Sequence, residues 1–162
     1  MEYKIVDSME EAKICDDLLT ELIMSERKYD DNVKKTFRVN NYYTEIYNKE
    51  NNVLICAKNN DIIVGFIYGF LKEQAGQLLY ENVGLIDALY VRDNYRKQGI
   101  ATNLINEFYK WCDLKDIKYI EIGSFVENKD AYKLYKNKKL GFEVVSYRMK
   151  KIYSDKNMGE TL

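Results

Sequence analysis

The sequence contains no histidine and no proline, and it has only three cysteines in 162 residues. The first absence limits the chemistry most. Without an imidazole the chain excludes Ser-His-Asp and Cys-His catalysis, a histidine general base and every His-containing metal site. Any proton transfer must therefore run through Asp, Glu, Tyr, Lys, Cys or water. Cys15, Cys56 and Cys112 are odd in number, widely separated and set among apolar neighbours, which reads as buried reduced thiols rather than a disulfide framework. No metal site is expected. The missing proline accompanies an abundance of Asn, Lys, Ile and Tyr, and we read it as compositional bias.

A net field is missing too. Lys and Arg number 25 against 26 Asp and Glu, a formal net charge of -1, so neither nucleic acid nor a membrane surface is an expected partner. The longest apolar stretch, from Ile62 to Leu71, is far shorter than the roughly 20 residues of a membrane span. Met1-Glu2-Tyr3-Lys4 opens no signal peptide, and a cytoplasmic protein is expected. What is present is apolar surface. At 46% hydrophobic residues, a chain of this length has the material for one domain spanning residues 1–162 with a sizeable core.

Glu2 to Val6 reads as a first strand, and Asp7-Ser8 offers a cap to a helix beginning near Met9. Ala12, Cys15, Leu18, Leu19, Leu22 and Ile23 recur at helical spacing and define its buried face, with Glu11, Asp17 and Glu21 outward. A second, less regular helical segment is expected from about Asp31 to Tyr47. Val53 to Lys58 and Ile62 to Leu71 are β-branched and aromatic runs joined by Asn59-Asn60-Asp61, which predicts an antiparallel hairpin. A further strand spans roughly Glu81 to Val91. Beyond it, Ile100, Ala101, Leu104, Ile105, Phe108, Trp111 and Cys112 lie at helical spacing. Tyr119 to Gly123 predicts a short buried strand, Asn128 to Lys138 a helix, and Phe142 to Ile152 a closing strand, with residues 154–162 a frayed tail. This order predicts a single α/β (mixed α+β) domain whose sheet is covered by helices on both faces.

Chemistry concentrates where Ile86-Asp87-Ala88-Leu89-Tyr90-Val91 runs into Tyr95-Arg96-Lys97-Gln98-Gly99-Ile100-Ala101 and the following helix. A strand that enters a glycine turn opening a helix leaves several N–H groups unpaired beside the positive end of the helix dipole. That arrangement cradles a phosphate. The turn lacks the Gly-Lys-Ser/Thr element of a nucleotide loop, and no paired acidic metal site accompanies it.

A second element narrows the guest. Asn128-Lys129-Asp130-Ala131-Tyr132-Lys133-Leu134-Tyr135 lies on the later helix, and Leu140-Gly141-Phe142 follows it. Together with Arg96 to Ala101, which matches a Gln/Arg-x-x-Gly-x-Gly/Ala loop, these residues resemble the GNAT superfamily of acyl-CoA-dependent N-acyltransferases. Asn128, Ala131, Leu134 and Tyr135 match the family's downstream helix, and the resemblance spans about Ile62 to Tyr153.

The resemblance implies a mixed, mostly antiparallel twisted sheet whose central strands splay apart, and acetyl-CoA as co-substrate with no metal. In such a protein the backbone of Arg96, Lys97, Gln98, Gly99, Ile100 and Ala101 would hold the pyrophosphate. Leu89, Tyr90 and Val91 would line the pantetheine arm, with the Leu89 and Val91 backbone pairing as a missing strand would. The Leu89 N–H would stabilise the oxyanion that develops on the thioester carbonyl. Asn128 would contact the cofactor near the pantetheine end. Tyr135 would protonate the departing thiolate, with Tyr132 the alternative because Tyr135 to Gly141 is about two residues longer than the usual spacing, as though Asn137-Lys138-Lys139 extends the helix end.

An attacking ammonium with a reference pKa of about 10.4 must first lose a proton, and with no histidine a carboxylate is the natural acceptor. Asp87 is the first candidate, with Glu81, Glu121 and Glu127 behind it. The acceptor, a small-molecule or peptide amine, would meet Glu26, Tyr29, Asp30, Asp31, Tyr42 and Tyr43, a set suited to a cation. The expectation is an N-acetyltransferase working by direct attack in a ternary complex. The alternative is a non-catalytic coenzyme A or acyl-CoA sensor or scaffold. Strands at the sheet edges allow a homodimer.

Overall fold

The computed structural model describes residues 1–151. The expected tail at 154–162 and Ile152, the last residue of the expected closing strand, lie outside the described residues. Among the described residues, five strands form one sheet in the order β1-β2-β3-β4-β5: β1 (Glu2–Ile5), β2 (Asn52–Asn59), β3 (Ile62–Glu73), β4 (Asn82–Val91) and β5 (Ile120–Ile122). Pairing is antiparallel through β4 and parallel between β4 and β5. The mixed, mostly antiparallel expectation holds.

Helices cover both faces. On one, α3 (Ile100–Leu114) buries Ile100, Leu104, Ile105, Phe108, Trp111 and Cys112 against Val53, Ile55, Val64, Ile67 and Ile86. Each such side chain removed from water contributes about 1.5–3 kcal/mol, so this apolar stripe suffices to dock the crossover helix. On the other face, α1 (Met9–Glu26) and α2 (Tyr42–Ile46) cover Leu54, Cys56, Phe66, Tyr68, Ala88 and Tyr90. The Ser8 hydroxyl caps α1 by accepting from the Glu11 amide at 3.2 Å. All three cysteines are buried and free.

Four expectations need correction. The segment from Asp31 to Asn41 is turns and irregular chain, and only Tyr42–Ile46 is helical. The Asp30 carboxylate accepts from the Asn32 amide, and Asn41 adopts φ 58°, so local side-chain bonding and a left-handed residue replace helix there. Second, residues 142–151 form no strand; their chain runs beside the Asp30 loop, where Lys150 donates to the Asp30 carboxylate at 2.8 Å. Third, the last helix, α4 (Lys129–Tyr135), stops short of Lys138 because Asn137 turns the chain, its backbone carbonyl accepting from the Leu140 and Gly141 amides. Fourth, Glu11 and Glu21 do not simply face water. Glu11 pairs with Lys4 and Lys58, both at 3.1 Å, and Glu21 with Arg92 at 3.1 Å.

The buried face of α1 also carries one charged residue that its apolar stripe conceals. Asp16 is buried, and its Oδ1 accepts from the Tyr43 amide at 2.7 Å, capping α2 from a neighbouring helix. This bond fixes where Tyr42 and Tyr43 stand.

Candidate active site

β4 is built in two halves. Gly84, Leu85 and Ile86 pair with Ile120, Glu121 and Ile122, and there β5 ends while β4 continues to Val91. The strands therefore part after Ile86. On its other side β4 stays paired with β3, but the register slips between Tyr68 and Gly69, leaving Asp87 as the extra residue of a bulge. The slip has a steric companion: a Cβ on Gly69 would stand 2.6 Å from the Leu85 carbonyl oxygen and collide with the Phe108 ring, so only glycine fits.

The bulge redirects side chains. Ile86, Leu89 and Val91 belong to the α3 side of the sheet, whereas Ala88 and Tyr90 belong to the α1 side. Asp87 and Ala88, consecutive in sequence, both line a cavity of about 520 Å³ against α1. Leu22, Ile23, Glu26, Phe37 and Tyr42 complete the principal walls. Burial raises the carboxyl groups of both Glu26 and Asp87 above their usual range. Arg38 also lines this chamber, so its two carboxylates and one guanidinium leave a net acidic lining among apolar walls, which favours a guest that brings positive charge.

Register also decides which backbone groups face the gap. The Arg92 amide donates to the Val64 carbonyl at 2.9 Å, so by antiparallel alternation Tyr90 and Ala88 bond toward β3 while Leu89 and Val91 present their groups to the opposite, open edge. The Val91 carbonyl is already taken, accepting from Arg96 Nε at 2.8 Å. The Leu89 amide lies along the stretch that β5 leaves unpaired. Tyr90 points away from the gap, and its hydroxyl donates to Glu21 at 3.2 Å.

Past β4, residues Asp93–Tyr95 make a single 3-10 turn and the chain bends through two left-handed residues, Lys97 at φ 60° and Gly99 at φ 80°, before α3 begins. The first i→i−4 bond of that helix runs from the Asn103 amide to the Gly99 carbonyl. The amides of Ile100, Ala101 and Thr102 thus have no partner inside the helix. Nothing lies within 4 Å of a Cβ built on Gly99, so the surface above this turn is open to a ligand. Left-handed turns that open a helix with bare amides favour an anion. Arg96 stands apart: its guanidinium pairs with Asp93 at 2.9 Å and lies 5.5 Å from the Tyr90 ring, bracing the strand end instead of the cradle. Lys97 and Gln98 are exposed in the turn, and Gln98 donates weakly to the Asn94 carbonyl at 3.4 Å.

The side chain of Asn128 caps α4, its Oδ1 accepting from the Ala131 amide at 3.1 Å. The cap uses the oxygen and leaves the Nδ2 hydrogens to a ligand. At the far end of the same helix, Tyr135 packs edge-on to Phe142 with ring centroids 5.9 Å apart. Burial, together with the nearby Glu26 charge, pushes its phenol up to about 12. The extra residues before Gly141 form the Asn137 turn beyond α4, so they leave the helical position of Tyr135 unaltered. Tyr132, 50% exposed, faces solvent.

Glu81 and Glu127 are exposed on loops, Glu121 sits within β5, and none of the three lines the cavity. Of the acceptor residues expected from sequence, Glu26 and Tyr42 line it. Tyr43 is buried beneath, Tyr29 stacks on Phe125 at 5.7 Å, Asp30 is bonded to Lys150, and Asp31 is exposed. Sequence reasoning missed Leu22, Ile23 and Phe37 as cavity walls. The two α1 residues continue the helix's apolar stripe, and only Phe37, an isolated aromatic in a polar segment, carried a separate signal.

The chain belongs to the GNAT acetyltransferase family, whose model matches residues 17–142, and it is accordingly an acyltransferase. No curated protein sequence matches it significantly. Among solved structures, a mutant of the BH1408 protein from Bacillus halodurans is similar at TM-score 0.81 and 13% identity, covering 95% of this chain and 100% of its own. The aminoglycoside N-acetyltransferase AAC(6')-Iy in complex with CoA is similar at TM-score 0.67 and 18% identity, with 92% of this chain and 99% of that one covered. The aminoglycoside antibiotic 6'-N-acetyltransferase AAC(6')-IG from Acinetobacter haemolyticus gives TM-score 0.63 at 19% identity, over 94% and 100% of the two chains. At these identities the likeness is one of fold. No helix among the described residues is long and apolar enough to cross a membrane.

Proposed function

We propose that the protein transfers the acetyl group of acetyl-CoA to the amine of a cationic acceptor by direct attack in a ternary complex. The observation that carries this reading is the parting of β4 from β5 after Ile86, immediately upstream of a turn whose amides open α3. A pyrophosphate held by the amides of Gly99, Ile100 and Ala101 would direct a pantetheine arm back along the open edge of β4. The Leu89 amide would then meet the thioester carbonyl, and Asn128 Nδ2 would hold the arm from α4.

The acceptor would enter the 520 Å³ chamber on the α1 side, where the bulge presents Asp87. In the reaction the amine nitrogen bonds to the carbonyl carbon, the carbon–sulfur bond breaks, and its electron pair leaves on sulfur. Asp87, directly or through water, accepts the proton that the ammonium must lose before it attacks. The second nitrogen proton, lost as the amide forms, passes through water, and the departing thiolate takes up a proton from water to give the free thiol. Burial raises the Asp87 carboxyl, bringing this base closer to the amine it deprotonates. Glu26 would hold the acceptor's positive charge in place.

Tyr135 is suited to donate to sulfur. With its phenol near 12 and a thiol near 8.5, full transfer to a formed thiolate costs about 5 kcal/mol. The phenol therefore stays protonated at neutral pH and assists through a hydrogen bond that tightens as charge builds on sulfur.

The test is release of free coenzyme A thiol from acetyl-CoA by the purified protein with a panel of mono- and polycationic amines, products identified by mass. Acetylated amine with stoichiometric thiol is the expected result. Confirmed acetyl-CoA binding without thiol release across the panel would overturn it in favour of a sensor or scaffold.

A further inference from the structure

The chamber that holds Asp87 and Glu26 also holds a cation. Arg38 lines it from the loop between α1 and α2, with Phe37 and Val39 on either side. That stretch of chain is tied down. The Val39 amide donates to the Thr20 hydroxyl at 3.0 Å, which itself donates to the Asp16 carbonyl at 3.1 Å, so the residue after Arg38 is bonded to α1. On the other side, the Phe37 amide donates to the Lys34 carbonyl at 3.1 Å. The guanidinium therefore springs from a positioned backbone.

Carboxylates surround Arg38, and it pairs with none of them. Outside the chamber it lines a second groove with Asp17 and Glu21 of α1, but Glu21 is committed to Arg92 at 3.1 Å and to the Tyr90 hydroxyl at 3.2 Å. Among the described residues Arg38 has no carboxylate partner, and its Nη1 donates to the adjacent Phe37 carbonyl at 2.7 Å. One N–H of a five-donor fork is thereby used, and the rest are available to a ligand. A planar guanidinium grips a carboxylate through two parallel hydrogen bonds, which a lysine ammonium cannot do. The chamber's own charge selects this anion over a phosphate, because a phosphate would set nearly two further negative charges against Asp87 and Glu26, whereas one carboxylate is matched by one guanidinium.

Resting on the acetyl-transfer reading of this chamber, we infer that the acceptor is a diamino acid. One amine faces Asp87 and is acetylated, the second ammonium meets Glu26, and the carboxylate is held by Arg38. The reacting nitrogen bonds to the acetyl carbon as the carbon–sulfur bond breaks; its ammonium yields one proton to Asp87 and one to water, and the thiolate takes one from water. Arg38 is then a specificity-determining residue, separating an amino acid from the amine that lacks its carboxylate. The three charged groups come from α1, the following loop and β4, and the space between them, about 520 Å³, is that of a small-molecule site.

The test is calorimetry of the full chain with L-lysine, L-ornithine and the carboxamide of each, on the wild type and on Arg38→Gln, with coenzyme A present so that no acetyl group is transferred. The carboxamides keep both amines and remove only the anionic group. Arg38 is exposed, so the variant leaves the core untouched, as circular dichroism will verify. On the wild type at least one of the two acids should bind about 10-fold or more tightly than its carboxamide, the scale of charge-assisted hydrogen bonds, and Arg38→Gln should bring the pair within about twofold. Carboxamides that bind the wild type as well as the acids overturn the proposal. So does a preference that survives Arg38→Gln, or acids that do not bind at all. Thiol release from acetyl-CoA is read separately: an Arg38-dependent preference without release upholds the diamino acid site and overturns acetyl transfer, whereas release with no preference for the acids does the reverse.

Discussion

The two halves of β4 follow the same alternating pattern and do opposite things. From Gly84 to Ile86 the strand is paired on both sides and serves as core; from Asp87 to Val91 it is paired on one side only. Composition does not separate them, since Leu85-Ile86 and Leu89-Tyr90-Val91 are equally apolar. What differs is the neighbour. β5 contributes three residues and ends, and the bulge at Asp87 falls where its support is lost. A site is made here by withdrawing half of a strand's hydrogen bonds and presenting the vacant half to a ligand, which a fully paired strand cannot do.

The most damaging change to the open half should come from beyond its end. Gly99→Glu forces a side chain onto φ 80° and sets a carboxylate where phosphate is expected, which should weaken acetyl-CoA binding about 100-fold or more by calorimetry. Unchanged affinity would detach the turn from cofactor binding.

Tyr135→Phe should lower kcat about 10- to 100-fold, the low end for a general acid, with little change in acetyl-CoA affinity. A loss of affinity equal to the loss in kcat would make Tyr135 a wall and not a donor. Asp87→Asn should reduce kcat several-fold and erase the acid limb of the pH–rate profile. The sign follows from burial: the folded carboxyl titrates above its ordinary range, so activity falls as pH drops through that raised value. The same shift predicts that this carboxyl weakens the fold once ionised, a penalty absent at low pH and present above its folded-state pKa. Asp87→Asn should accordingly melt at a higher temperature than the wild type at neutral pH, and a lower one would argue for a structural role.

The smallest effect is expected from Glu26→Gln, which should raise KM for a dicationic acceptor more than for a monocationic one while sparing acetyl-CoA binding. Equal effects on both amines would place Glu26 outside the acceptor's reach.

Much of this arrangement is legible in sequence because it is local. The helical spacing from Ile100 to Cys112, the hairpin around Asn59-Asn60-Asp61, the Ser8 cap and the Gly99 turn each depend on residues within a few positions of one another. Elements whose stability is settled by distant partners are misread. The stretch from Asp31 to Asn41 has few good helix formers besides Lys34, Lys35 and Arg38, and side-chain bonding by Asp30 and the left-handed Asn41 set its course. Phe142 to Lys150 has strand alternation without a strand beside it. Asp16 sits on an apolar helix face as though misplaced, until the Tyr43 amide 27 positions away explains it.

For the site the division is similar. The residue types were set by the sequence: an anion turn at Gly99, a chain with no histidine in which carboxylates and phenols must move protons, and Asn128 and Tyr135 about two helical turns apart at the two ends of one short helix. Only the tertiary structure decided that Asp87 and Ala88 both face α1, that Leu89 offers its amide to an unpaired edge, and that Glu26 lines the same chamber as Asp87. The reason is physical. Residue chemistry and local periodicity are properties of neighbouring positions, whereas a bulge, a parting of strands and the desolvation of a carboxylate come from packing between segments far apart in the chain.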